Sequence, residues 1–287
     1  MEPLIVGRTE EPARSRPSAF EEPSAEMSFW DHLEELRWRL IKGLSGLLAG
    51  VVLVALFADW VMHHILLGPA RADFFMYRLL GLEGVDLALQ NRRLPGQFVT
   101  YWGTILLLGA ILGSPVLIYQ LWAFIKPGLY PHERRAMRWA VGFVSLCFLL
   151  GAAFGYLVLM PAATRFFARF QIDPQVQNII DINTYFGMMA MLVIASGLLF
   201  EMPVLAYFLS KIGLLSPQLM RRFRRHAYVA ILILSGVLTP SPDPFTQTLL
   251  AVPLVALYET SIGISSVVAH RRQRELERLA YGASSKA

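Results

Sequence analysis

The run WAVGFVSLCFLLGAAFGYLVLM, residues 139–160, decides the class of this protein, because its 22 residues contain no charged side chain. A helix of that length rises about 33 Å at about 1.5 Å per residue, enough to cross a hydrocarbon core of about 30 Å. The composition agrees, since 55% of the 287 residues are hydrophobic and only 16% are charged. The sequence therefore predicts an all-α, polytopic membrane protein.

Six transmembrane helices are predicted, at residues 40–58, 101–125, 139–160, 187–209, 226–239 and 245–268. The last two form a hairpin whose spans are expected to be short. The fifth has 14 residues, which reach about 21 Å and leave part of the hydrocarbon core unspanned. A functional thinning of the bilayer and a tucked interfacial loop both explain such a helix, and the sequence does not choose between them.

The distribution of positive charge predicts the orientation. Twenty of the 26 lysines and arginines lie in the N-terminal flank through Lys42, in residues 126–138, in residues 210–225 and after residue 269. Cytoplasmic segments of membrane proteins carry such an excess, so both termini are predicted to be cytoplasmic. Cations at span ends orient helices and meet anionic lipid, so we expect membrane lipid, and not nucleic acid, as a partner.

One membrane domain is predicted, residues 28–270, between two tails. Residues 1–27 are rich in proline, glutamate and arginine, which indicates a disordered cytoplasmic tail, and residues 271–287 form a basic cytoplasmic tail. The domain begins with SFWD at Ser28, a Ser-x-x-Asp pattern typical of a helix N-cap. An amphipathic helix is expected to run from there into the first span.

The sequence lacks the motifs of the common membrane enzymes. All six histidines fall in loops or at span ends, and the single cysteine, Cys147, lies inside an apolar run. HExxH, GxSxG and GxxxxGK[ST] do not occur, which excludes a metalloprotease, an esterase and an ATP-driven pump of the usual kinds. We therefore expect no catalytic residue, no metal site and no cofactor, and a protein that is not an enzyme.

Glu201 lies well inside the fourth predicted span, in the run LLFEMPV. An ionisable side chain at membrane depth is costly, which favours a functional residue that faces a cavity or a partner. Pro203 should kink the helix beside it. Two alternatives stay open: a packing role, and a proton-coupling site in a secondary transporter of a small solute. Against the transporter, the two halves of the chain show no matching pair of broken helices.

Polar side chains also gather near the outer ends of the last two predicted spans. Thr239, Gln247 and Thr248 form a polar collar there, and Glu259 lies deeper in the sixth span. Interhelical hydrogen bonds alone would explain such residues, and we favour that explanation for Thr239 and Thr248.

Four ordered motifs resemble those of one family. They are HLEELRWRL at 32–40, YQLWAFIKPGLYPHERR at 119–135, FEMPV at 200–204 and LTPSPDPFTQTLLAVP at 238–253. From about residue 28 to about residue 272 the chain is similar to TatC, the multispanning core subunit of the twin-arginine protein translocase. The resemblance implies a plasma (inner) membrane receptor for signal peptides with consecutive arginines, which exports folded proteins by a Sec-independent route that uses the proton-motive force.

The implied partners are twin-arginine signal peptides and the single-span membrane proteins TatA and TatB, and self-association of the chain is a further possibility. The chain departs from the family's pattern in three places. The first external loop is long near 71–97, residues 1–26 extend beyond the usual start, and the turn TPSPDP at 239–244 is longer than related forms.

The resemblance also implies a signal-peptide site. Its two glutamates match Glu35 and Glu133, and further residues of the same two segments are included: Arg37, Phe124 and His132. Planar guanidinium groups pair bidentately with carboxylates, whereas an ammonium is a compact, hydrated charge, so two carboxylates can prefer Arg-Arg over Lys-Lys. The alternative is that Glu35 pairs with Arg39, four residues on, and that Glu133 pairs with a neighbouring arginine.

A second implied site lies in the membrane. The family's polar patch for TatA and TatB matches Thr239 and Gln247. We expect Glu201, Asp243 and Glu259 to complete the set of functional polar residues there.

Overall fold

The fold is a bundle of helices, seen in a computed structural model that describes residues 29–125, 134–173, 175–176, 178–239 and 243–284. The α-helices are α1 (Phe29–Leu56), α2 (Ala58–Val61), α3 (Phe75–Leu79), α4 (Gly96–Ile125), α5 (Arg134–Phe154), α6 (Met160–Arg169), α7 (Ile182–Leu199), α8 (Met202–Ile212), α9 (Pro217–Arg222), α10 (Arg224–Leu238) and α11 (Pro244–Ser284). Two π-helical turns, Met62–Leu66 and Gly155–Leu159, and one 3-10 turn, Gly68–Ala70, lie among them. Strands β1 (Leu89–Gln90) and β2 (Ile180–Asp181) pair in parallel.

The predicted all-α membrane fold is confirmed. Five helical stretches of the described residues are long and apolar enough to cross a bilayer: Leu33–Leu56, Gly96–Phe124, Val141–Arg169, Ile182–Ile212 and Pro244–Arg271. The predicted amphipathic entry helix and first span form one continuous helix, α1, that begins at Phe29. Ser28, the predicted cap of that helix, lies outside the described residues.

The last hairpin differs from the expectation of two short spans. The predicted fifth span corresponds to α10, whose 15 residues rise about 22 Å, so helix length does not establish a sixth crossing. The expectation of a short sixth span is wrong, because α11 has 41 residues, of which 28, Pro244–Arg271, form an apolar stretch. The helix continues beyond Arg271 through polar residues. A prediction that uses only the length of the apolar run does not include this part of the helix.

The helices alternate in direction, which gives the bundle two ends. We call the end where α1 begins and α11 ends the terminal side. The other end, the loop side, carries residues 57–95 and 170–181.

Glycines bring α1 and α4 into close antiparallel contact. A Cβ atom added at Gly50 would collide with the carbonyl oxygen of Gly109, and one added at Gly113 would lie 2.7 Å from the carbonyl oxygen of Gly46. In lipid, which is as apolar as leucine, helices associate chiefly by such close van der Waals contact between small residues. This glycine seam fixes the register of the two helices.

Residues 57–95, predicted as a long external loop, are tied to the bundle by two tyrosines, Tyr156 and Tyr185, and a third, Tyr77, makes a similar bond within the loop. The hydroxyl groups of Tyr77, Tyr156 and Tyr185 donate to the backbone carbonyls of Pro69 (2.6 Å), Ile65 (2.8 Å) and Leu66 (3.0 Å). These carbonyls lie at the ends of short helical turns, where backbone acceptors lack partners within the helix. Burial, assisted by the charge of Asp86, raises the pKa of Tyr77 well above its usual range, so this hydroxyl remains a donor.

A second anchor joins the same loop to the start of α7. The side chain of Asp181 accepts hydrogen bonds from the backbone N–H groups of Arg92 (3.1 Å), Asn183 (3.2 Å) and Thr184 (3.3 Å). The N–H of Arg92 is the largest cause that holds the pKa of Asp181 below its usual range. Asp181 therefore caps α7 and fixes the loop beside it.

Replacing Gly50 by Ala tests the glycine seam. The new methyl group meets backbone atoms of α4 and cannot be relieved by a side-chain rotation, so we expect a loss of about 1–3 kcal/mol in stability. Thermal unfolding in detergent should show a lower Tm than for the wild type.

Gly187→Ala is the matched control, because a Cβ there has nothing within 4 Å and α7 should tolerate or favour alanine. Equal Tm values for the two variants would contradict the close contact.

Candidate functional site

Glu35 lies on the first turns of α1, at the terminal side, and forms an ion pair within its own helix. The Nε and Nη2 atoms of Arg39 both donate to its Oε1 atom, at 2.9 and 2.6 Å. The second oxygen, Oε2, has no hydrogen-bond partner among the described residues. The alternative of a pair with Arg39 is thus present, but it occupies only one of the two oxygens.

The glycine seam places Glu35 relative to α4. A Cβ at Gly43 would contact Leu117, and continuing this antiparallel register by about two turns brings Glu35 level with the C-terminal end of α4. Phe124 is half-buried at that end, and Arg37 is exposed on α1. The signal-peptide residues predicted on α1 and α4 therefore lie on the same side of the bundle.

His132 and Glu133 lie outside the described residues, in the segment 126–133 that joins α4 to α5. α4 ends at Ile125 and α5 begins at Arg134, both on the terminal side. Glu133 therefore directly precedes the first residue of α5 in the sequence.

Glu201 marks an interruption of the fourth span. α7 ends at Leu199 and α8 begins at Met202, with Pro203 in its first turn, so the predicted irregularity at Pro203 is confirmed as a break between two helices. Both carboxyl oxygens of Glu201 are buried and lack a hydrogen-bond partner within the part of the chain that the structure describes. The backbone N–H of Phe148 faces them, but it belongs to α5, where helical N–H groups already bond to the carbonyl four residues earlier. A carboxyl group at membrane depth is thus left without compensation.

The predicted polar collar lies where α10 and α11 meet on the loop side. Gln247 donates from Nε2 to the carbonyl oxygen of Leu232 (2.9 Å), while Thr239 is buried and donates to the carbonyl oxygen of Ser235 (2.8 Å) in its own helix. Asp243 caps α11, accepting from the N–H of Thr246 at 2.7 Å. Gln247 therefore forms a hydrogen bond between the two helices. Thr239 and Asp243 instead form hydrogen bonds with backbone groups at the ends of their own helices.

Glu259 is a structural link between α10 and α11. Its carboxylate accepts from Nη2 of Arg224 (2.6 Å) and from the hydroxyl of Tyr228 (2.5 Å). Glu259 lies twelve residues beyond Gln247, about 18 Å along α11, so the two predicted residues belong to different places. Neither Arg224 nor Tyr228 was selected from the sequence, although an antiparallel hairpin of α10 and α11 would have aligned them with Glu259.

The comparison with known proteins identifies the family. A family model described as Sec-independent protein translocase protein (TatC) matches residues 31–253. This chain belongs to the TatC family. The predicted resemblance is therefore confirmed, and with it the function of a component of the Sec-independent protein translocase.

Known relatives from bacteria match this chain along most of its length. The Sec-independent protein translocase protein TatC of Blattabacterium sp. is 34% identical over 261 residues, which cover 86% of this chain and 98% of that protein. TatCy of Bacillus subtilis is 33% identical over 249 residues, which cover 87% and 92%.

A solved structure extends the match to the fold. The crystal structure of the twin-arginine translocase receptor TatC is 32% identical and superposes with a TM-score of 0.63, covering 83% of this chain and 99% of that one. The TatC family membership thus extends from the sequence to the fold.

A comparison of Glu201→Gln with Glu259→Gln tests whether Glu201 has a functional role and Glu259 a structural one. Glu201 has no partner to lose, so its change should leave Tm unchanged or higher, whereas Glu259→Gln weakens the link to Arg224 and should lower Tm modestly. Tm in detergent and export of a folded reporter protein measure the two effects.

Export should fall strongly for Glu201→Ala at normal membrane levels, partly for Glu201→Gln, and for Glu259→Gln only in proportion to lost protein. Full export by the inserted Glu201→Ala variant would remove Glu201 from the functional site.

Proposed function

We propose that this TatC family chain is the signal-peptide receptor and core subunit of a twin-arginine translocase, which moves folded proteins across the membrane with the proton-motive force. The observation that carries the proposal is the α1–α4 register, which brings Glu35 level with the end of α4 and the start of the segment that contains Glu133. The carboxylates of Glu35 and Glu133 together match two consecutive arginines in charge and in hydrogen-bonding geometry.

The contacts of Glu35 support this role. Arg39 holds Oε1, which orients the carboxylate and leaves Oε2 available to an incoming guanidinium. Arg37 and Arg39 also repel a cationic peptide, so a second carboxylate is needed to offset them. Exposed ion pairs contribute only about 0.2–1 kcal/mol each, so selectivity for arginine rests on geometry more than on total charge.

The proposed orientation places the terminal side in the cytoplasm, in a plasma (inner) membrane. Arg37, Arg39 and Lys42 lie at the start of α1, and Arg221, Arg222, Arg224 and Arg225 lie in and beside α9, all on that side. This clustering follows the excess of arginine and lysine that cytoplasmic segments carry. Signal peptides then meet Glu35 and Glu133 before crossing.

TatA-like and TatB-like single-span proteins are the proposed partners at the polar collar. Gln247 uses its amide N–H on Leu232, and its carbonyl oxygen has no partner among the described residues. A polar donor on a transmembrane partner would find in that oxygen the acceptor that lipid cannot supply.

The orientation predicts which engineered thiols are accessible. In a Cys147→Ala background, cysteines at Ser28 and Leu94 should react with an impermeant thiol reagent from the cytoplasmic and external sides respectively. Leu94 is fully exposed on the loop side, and the native Cys147 is buried. Labelling of both positions from one side of the membrane would overturn the orientation.

Peptide binding tests the two glutamates. Glu35→Ala and Glu133→Ala should each weaken the binding of a twin-arginine signal peptide, and the double change should be non-additive because both glutamates contact one Arg-Arg pair. Glu133→Arg should bind worse still, because it adds like-charge repulsion. Affinities for Arg-Arg and Lys-Lys peptides are measured with the purified protein in nanodiscs.

Glu34→Ala is the matched control, since Glu34 is exposed one position away and points about 100° around α1. It should keep the Arg-Arg preference. A folded Glu35/Glu133 double variant that also keeps the full preference would exclude these residues as the receptor site.

A further inference from the structure

A cavity opens on the loop side, where α6 ends and α11 begins. Its volume is about 320 Å³, and six residues form most of its lining: Arg165, Arg169, Phe166, Phe170, Phe245 and Leu82. None of the residues assigned to signal-peptide or partner binding lies in it. The cavity therefore belongs to neither site described above.

Of the two arginines in the cavity, Arg165 carries a positive charge that is not compensated. Arg169 forms an ion pair with Glu83, but Arg165 forms no hydrogen bond or ion pair among the described residues. The Nε atom of Arg165 is excluded from solvent without an acceptor, and no acidic side chain is among the described residues that line the cavity. Because a buried donor without an acceptor is unfavourable, an anion from outside the chain would stabilise this half-buried guanidinium.

The remaining walls are apolar and aromatic. Phe166 and Phe170 stack with their ring centroids 5.4 Å apart, and Phe170 and Phe245 are each more than half exposed. An apolar surface of this kind next to a guanidinium suits an amphiphile better than a small soluble anion, which would leave the rings without contact.

The depth of the cavity agrees with an amphiphile. Arg169 ends the candidate span Val141–Arg169, and Phe245 lies in the first turn of the candidate span Pro244–Arg271. Both therefore lie at ends of candidate spans, the part of a membrane helix where aromatic rings and snorkelling arginines meet lipid headgroups.

We propose that this cavity binds one anionic phospholipid of the leaflet on the loop side. The phosphate accepts hydrogen bonds from Arg165, and an acyl chain lies along Phe166, Phe170 and Phe245. A zwitterionic headgroup would add a second cation beside Arg165, and the nearby Glu83, which could offset it, is already paired with Arg169. The lipid joins the loop residue Leu82 to α6 and to the start of α11.

Lipid titration of the purified, delipidated protein in detergent tests the proposal. Phosphatidylglycerol should raise the Tm of the wild type more than phosphatidylcholine does. Arg165→Gln should weaken the apparent affinity for phosphatidylglycerol at least about tenfold, as expected when a charge-assisted hydrogen bond is lost. Arg78→Gln is the control, because Arg78 is exposed on the same side but does not line the cavity.

Phe170→Ser provides an independent test if Arg165→Gln does not fold, because it removes an exposed aromatic ring and keeps both arginines. It should also weaken phosphatidylglycerol binding. Equal effects of the two lipids, or an Arg165→Gln variant with wild-type affinity, would overturn the proposal. Equal stabilisation by inorganic phosphate would assign the cavity to a soluble anion and overturn the lipid.

Discussion

Close approach of helix backbones at glycines is the constraint on which the rest of the structure depends. The lipid around the bundle offers no hydrophobic force that would drive helices together, so contact area at short range must hold them. α1 meets α4 at Gly50 and Gly109, and α5 meets α7 where a Cβ at Gly151 would contact the backbone of Ser196. These contacts leave little freedom to slide, because any shift along the axis would bring side chains against backbone.

Fixed register has a direct effect on the polar residues. The glycine seam sets the register of α1 on α4, and this register places Glu35, several turns away, level with the end of α4. Glu201 lies against α5 at the break between α7 and α8. The two carboxylates differ in what surrounds them. Glu35 shares its charge with Arg39, whereas Glu201 is buried without a partner. The ion pair of Glu35 lies at the surface, where it can be exchanged reversibly for another ion pair. The buried carboxyl group of Glu201 would be stabilised by a polar partner inside the membrane.

Much of this was predictable, and the reasons for the rest are physical. Apolar length identifies all five of the candidate spans, and Pro203 identifies the interruption beside it, because hydrocarbon thickness and the missing N–H of proline act locally. Contacts between distant parts of the chain leave no such local pattern. The hydroxyl of Tyr185 binds the carbonyl of Leu66, 119 residues away, and nothing in either segment reveals the pairing. The same holds for Tyr228 and Glu259, which depend on how α10 and α11 align. Arg165 was passed over because an arginine near the end of a span usually indicates only a boundary.

The proline within α11 divides this long helix into two mechanical parts. Pro253 donates no N–H to the preceding turn, so the helix is more easily bent there than elsewhere along its 41 residues. Beyond it, the hydroxyl of Ser210 on α8 donates to that of Ser265 on α11 at 2.7 Å, in a buried contact that ties the longer arm to the bundle. The shorter arm, which carries Gln247, is seated as well, because Thr246, Leu250 and Ala251 are buried in it. Both sides of Pro253 are therefore fixed to the bundle, so the weakened turn of α11 lies between two anchored segments.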